Sequence, residues 1–268
     1  MRHVFRLLLA LLLALSVSAA LAEGGRAGRA PEPALTQVGV IDALLAGGYE
    51  GAMPVGQLKR LGDIGLGTFD ALDGELVLLD GVVYQVPASG QVARPADSLT
   101  TPFAQAARMA SPLAVALAPG LDLKAVEAAL DARLGDANVF AAARIDARFA
   151  ALIARSVPRQ APPYRPLAEV AKEQSLFPFT EAEGTLIGLR GPAFAKGFGV
   201  PGWHWHFLTR DRQRGGHVLS FTLSAGGAAS ARLQPLRRLE LILPQQGLSA
   251  FDLARDRSRE LHAVEAGQ

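Results

Sequence analysis

The segment 203–223 constrains this chain more than any other. Residues 203–208 and 217–223 each carry the aromatic and β-branched content of a strand, and the polar stretch 209–216 separates them. Side chains two apart on a strand share a face, so His204 and His206 project together while Trp203, Trp205 and Phe207 pack on the other side. Folding the segment back symmetrically about Asp211 and Arg212 sets His206 directly opposite His217. Directly opposed residues have Cβ atoms about 4.5–5.5 Å apart. Three of the chain's five histidines can therefore converge on one point from a single hairpin. A lone histidine usually makes ordinary hydrogen bonds in a core or at a surface, but three on one face argue for a bound metal. With no fourth protein ligand nearby, coordination positions stay open, as catalytic rather than structural sites require. The spacing does not choose the metal, since imidazole suits zinc, copper, iron and nickel alike.

Composition narrows the chemistry further. The chain contains no cysteine, which excludes disulfides, thiolate ligands and lipid attachment at a cysteine. Tightly held zinc must then use histidine and carboxylate. The first 22 residues stand apart: Arg2, His3 and Arg6 are followed by the apolar stretch 7–17 and by Ala20-Leu21-Ala22. That is the pattern of a secretory signal peptide with a small-residue cleavage site, and its apolar part is shorter than the roughly 20 residues a membrane helix needs. Retention through an uncleaved leader is the weaker reading. Losing Arg2 and Arg6 reduces 27 basic residues to 25, matched by 25 acidic ones. The mature chain is formally neutral, and no basic run with interleaved aromatics points to nucleic acid.

Residues 23–35, rich in Gly, Ala, Arg and Pro, read as a flexible linker, with the folded domain occupying 36–268. Short helices are expected at 41–46, 55–61 and 167–174. A longer one is expected from Leu123, with Asp122 as N-cap and Gly135 ending it. Strands at 75–79 and 82–86 flank Asp80-Gly81, a two-residue hairpin signal. Further strands are expected over 139–153 and 184–189, and the four prolines of 158–166 mark an irregular connection. The result is an α+β protein of one large domain or two closely joined lobes. It is built on mainly antiparallel or mixed β-sheets with a few helices, and the metal site lies on a β-hairpin.

Val200-Pro201-Gly202-Trp203-His204-Trp205-His206-Phe207, followed by Gly215-Gly216-His217-Val218-Leu219, resembles the zinc-binding signature of α-acetolactate decarboxylases. The resemblance extends through Ile41-Asp42-Ala43-Leu44-Leu45, Gly65-Leu66-Gly67-Thr68-Phe69 and Leu72-Asp73-Gly74-Glu75-Leu76. It continues with Arg155-Ser156-Val157-Pro158, Pro163-Tyr164-Arg165-Pro166-Leu167 and Glu183-Gly184-Thr185-Leu186. Trp203 and Trp205 replace the tyrosine and aliphatic residue expected there, off the metal-facing parity. The resemblance implies a carboxy-lyase that converts 2-acetolactate (2-hydroxy-2-methyl-3-oxobutanoate) to acetoin and carbon dioxide, with Zn2+ on His204, His206 and His217. It also implies catalytic roles for Glu75, Arg155 and a glutamate near the C-terminus, Glu265 with Glu260 as rival, and a substrate-lining position for Thr68.

The partner expected is a small hydroxy-keto acid, with no nucleic acid and no stable membrane span after signal cleavage. A homodimer is compatible with the sequence, and the expected location is exported, periplasmic or secreted. Two other functions fit the histidine cluster. One is a three-histidine zinc hydrolase or hydratase; the other is a periplasmic metal-binding protein, for which the long motif set before residue 80 has no use.

Overall fold

The computed structural model describes residues 32–227 and 229–266. The expected leader 1–22 and most of the linker lie outside these. In chain order the strands are β1 (Ala34–Val38), β2 (Met53–Pro54), β3 (Ile64–Thr68), β4 (Glu75–Leu79), β5 (Val82–Val86), β6 (Thr100–Thr101) and β7 (Ala104–Ala107). They continue with β8 (Leu113–Leu117), β9 (Phe140–Ser156), β10 (Ser175–Gly191), β11 (Gly202–Thr209), β12 (Gly215–Leu223), β13 (Ala229–Leu236) and β14 (Arg238–Ile242). The helices are α1 (Ile41–Leu45), α2 (Val55–Leu58), α3 (Leu123–Leu134), α4 (Leu167–Val170) and α5 (Ser258–Ala266). The chain enters its first strand at Ala34, two residues before Thr36, because parallel pairing with β14 already sets Ala34 opposite Arg238.

Asp80 and Gly81 both hold positive φ, 53° and 73°, the backbone a tight primed turn demands. The turn joins β4 to β5 with Leu79 opposite Val82. Every residue of β4 is buried, as the apolar content on both parities requires. This hairpin ends a six-stranded sheet of order β14-β1-β7-β3-β4-β5, antiparallel except for the β1–β14 pair. The second six-stranded sheet runs β10-β11-β12-β9-β13-β8 and is antiparallel throughout. Because β9 also pairs with β10, the strands β9, β10, β11 and β12 close on themselves. Phe149, Phe179, Phe207 and Phe221 fill that ring with edge-to-face contacts.

The sheets meet through a shared core in which Ile64, Leu66, Val77 and Leu79 from the first pack with Ala142, Ile187, Leu189 and Leu208 from the second. Parity along β4 therefore aims Glu75, like Val77 and Leu79, at the seam between sheets. On the far side of the second sheet lies α3, its first turn capped by the Asp122 carboxylate accepting from Ala125 N–H at 2.8 Å and its end marked by left-handed Gly135. Leu44, Leu45, Leu167, Val170 and Val264 form a separate small core that gathers α1, α4 and α5 at one end of the seam. Among the described residues no helix is long and apolar enough to cross a membrane.

Candidate active site

The register of β11 and β12 places His206 directly opposite His217, so the symmetric fold-back about residues 211 and 212 holds. Arg155 on β9 is the next partner of His217, which brings a guanidinium into the same row. All three histidines are buried, at 7%, 0% and 2% exposure for His204, His206 and His217. One ring nitrogen from each lies within 4.8 Å of the others.

The hydrogen-bond inventory of the rings is incomplete. His206 Nδ1 lies 2.8 Å from the Leu76 carbonyl, so the proton sits on Nδ1 and Nε2 is left with a bare lone pair. His204 Nε2 and His217 Nδ1 approach each other at 2.9 Å. His204 Nδ1, His206 Nε2 and His217 Nε2 have no partner at all. Burial pushes the His204 imidazole down to about 3, and the His206 and His217 imidazoles well below the usual value, so all three are neutral near pH 7. Neutral, buried, under-satisfied imidazoles are the donor set that a divalent cation satisfies. The residues present fit a metal.

His204 and His217 line a small cavity of about 40 Å³, together with Thr68, Glu75, Arg155 and Glu265. Glu75 opens β4, directly opposite Thr68 at the end of β3. Its Oε1 accepts from Arg155 Nη1 at 3.0 Å, and its Oε2 lies 3.6 Å from His206 Nε2. Arg155, 4% exposed, spends Nη2 on the Val264 carbonyl at 3.4 Å and leaves its Nε without a partner. Glu265, on α5, puts Oε2 3.9 Å from His204 Nε2. The rival Glu260 accepts instead from Arg255 and Arg257 at 2.9 and 3.0 Å and does not line the cavity. The Thr68 hydroxyl donates to the Gly74 carbonyl at 2.8 Å, so toward the cavity it offers lone pairs.

Burial is the main cause of the raised pKa in both carboxyls. Glu75 and Glu265 are each pushed up to about 7, with the Arg155 charge pulling the other way. A cation among the histidines opposes the push as well. The site thus holds two carboxyls able to keep or give a proton near neutrality, one fixed cation and a metal-binding face.

The opposite face of β11 is closed. Trp203 and Trp205 stack with centroids 5.0 Å apart. Trp203 Nε1 donates to Asp131 and Trp205 Nε1 to Glu127, both at 2.9 Å and both on α3. Gly188 sits opposite Trp205 on β10, where an added Cβ would come within 2.3 Å of the indole ring. The motif reading around the histidines supplied no role for α3, whose two carboxylates hold this face.

A sequence model described as Alpha-acetolactate decarboxylase matches residues 35–253. The chain is 44% identical over 195 residues to the alpha-acetolactate decarboxylase of Methanosarcina mazei, covering 73% of this chain and 68% of that protein. To the enzyme of the same name from Methylococcus capsulatus it is 38% identical, covering 85% and 87%. The crystal structure of alpha-acetolactate decarboxylase from Bacillus subtilis strain 168 superposes with a TM-score of 0.82 at 28% identity, over 87% of this chain and 99% of that one. The chain belongs to the alpha-acetolactate decarboxylase family, a family of carboxy-lyases.

Proposed function

We propose that the chain decarboxylates 2-acetolactate to acetoin and carbon dioxide, using zinc held by His204, His206 and His217. One observation carries the reading: three under-satisfied imidazoles converge from one hairpin, and two of them, His204 and His217, line a cavity with Arg155 and two protonatable carboxyls. When bound, zinc supplies Lewis-acid stabilisation for the negative charge that develops on oxygen as carbon dioxide leaves. Arg155 is the group for anionic substrate oxygen, since its fork of donors is fixed by Glu75 and Val264 and its Nε is free. The bond to the carboxyl carbon breaks, its electron pair stays on the former α-carbon and spreads into the adjacent ketone, and a proton must then be delivered there. Glu75 and Glu265, both raised to about 7, are the acids placed for that delivery. Thr68 lines the cavity as a substrate contact through its hydroxyl lone pairs.

Zinc content measured on purified protein beginning near Glu23, together with acetoin formed from acetolactate, tests the reading. Acetoin production that requires the metal supports it; metal uptake without turnover, or turnover of esters or bicarbonate instead, overturns it. We also propose that residues 1–22 direct export as a cleaved signal, with 23–35 as linker before the catalytic domain. Mass spectrometry of the exported protein would then find an N-terminus at Glu23.

A further inference from the structure

Residues 69–74, which join β3 to β4, hold two adjacent residues in the left-handed region: Ala71 and Leu72 have φ of 58° and 56°. Residues with a Cβ rarely enter that region, and a side chain as bulky as leucine there is an outlier. Such conformations persist only where the surroundings over-determine them, and they cluster at functional sites. Here the surroundings do so. The Ala71 N–H donates to the Tyr49 carbonyl and the Ala71 carbonyl accepts from Gln160 N–H, both at 2.8 Å. Gln85 Nε2 donates to the Asp73 carbonyl at 2.7 Å. Segments far apart in sequence thus clamp the loop from outside.

The clamp decides where Leu72 points. Its side chain, 2% exposed, packs in the small core with Phe103, Leu167 and Val264. It also lines the cavity of Thr68 and Glu75, the paired residues at either end of the loop. Among the described non-glycine residues of that lining, Leu72 alone holds positive φ. The lining is of two kinds: His204, His217, Arg155 and the carboxyls are polar, while Leu44, Leu72, Phe103, Leu167 and Val264 are apolar. 2-Acetolactate divides in the same way. Its hydroxyl, ketone and carboxylate oxygens suit the polar groups, which leaves its two methyl groups for the apolar ones.

Resting on the proposed decarboxylation, we infer that Leu72 is a specificity-determining residue: the strained loop fixes its side chain as the wall that keeps the alkyl groups of a 2-hydroxy-3-oxo acid near the size of methyl. The test compares kcat/KM of wild type, Leu72→Ala and Leu72→Met at equal zinc content. The substrates are acetolactate and two homologues, one lengthened by two carbons at the C2 methyl and the other by two carbons at the acetyl methyl. One methylene in an apolar pocket is worth roughly 10- to 200-fold in kcat/KM. Leu72→Ala should therefore raise the homologue-to-acetolactate ratio roughly 10- to 100-fold for at least one homologue. Leu72→Met, which conserves volume, should leave both ratios near wild type. A purely structural leucine would lower all three activities alike, so ratios that Leu72→Ala leaves unchanged, or that Leu72→Met shifts as far, overturn the inference and leave the decarboxylation standing. Should Leu72→Ala fail to fold, Leu72→Gly takes its place, since glycine adopts positive φ freely. A wild type that turns over none of the three acids sinks the decarboxylation, and this inference with it.

Discussion

The two faces of β11 are made from alternate residues of one strand, yet they treat their polar atoms in opposite ways. On the outer face, both indole N–H groups of Trp203 and Trp205 reach a carboxylate of α3, and stacking completes a closed, satisfied surface. On the inner face each of the three imidazole rings leaves a nitrogen unpaired although buried. Unsatisfied buried polar atoms cost about 1–3 kcal/mol each. A fold that satisfies one face and leaves the other open is using the first to hold the second in readiness. The tryptophan side is closed, and the histidine side is the one we propose for chemistry.

Substitutions should separate the faces, and His206→Ala should do so most. We expect it to abolish zinc binding and nearly all acetoin formation; unchanged activity at equal metal content would break the contrast. Glu75→Gln should keep the metal and slow turnover about 100- to 10,000-fold, the usual range for a lost general acid, and steady-state assays at matched zinc content will show it. A smaller effect is expected in the metal-free protein on acidification. The folded imidazoles bind protons only well below the ordinary 6.5, so the unfolded chain takes up more protons and stability falls as pH drops below about 6.5. The slope is at most about 1.4 kcal/mol per pH unit per histidine. Glu75 and Glu265, raised from 4.5 to about 7, oppose it between those values, leaving three groups against two. Between pH 7 and 5.5 the two effects nearly cancel, so denaturant titrations at pH 5.5 and about 4.5 should show the loss, and His206→Ala should shrink it. The smallest change belongs to the outer face, where Trp205→Phe should cost about 1 kcal/mol for the lost hydrogen bond to Glu127 while metal content and kcat stay as they were.

The sequence displays the inner face well because its information is local. Two histidines at a spacing of two and a third at the mirrored distance determine the hairpin register without any distant contact, and Asp80-Gly81 does the same for the strand that delivers Glu75. Strand β7 shows the limit. Ala-Gln-Ala-Ala has no β-branched or aromatic residue, and it becomes a strand because β1 and β3 pair with it on both sides. The first half of β10 is hidden in the same way, since Pro178 and the polar run after it break the pattern that β9 overrides by pairing along nearly its whole length. Helix α5 lies in a charged tail without strong periodicity, and the family match ends at residue 253. The resemblance favours Glu265 over Glu260, and the fold supplies the physical difference, since Glu265 lines the cavity and Glu260 does not.

The hydrogen bond from His206 to the Leu76 carbonyl spans 130 positions of the chain, and the ion pair from Arg155 to Glu75 spans 80. These contacts stitch one sheet to the other at the proposed active site itself. During refolding, then, neither sheet alone can assemble working chemistry, and loop closure over such separations is slow. Recovered turnover should trail the return of β-sheet signal, which makes catalysis a late reporter of whether the two halves have docked.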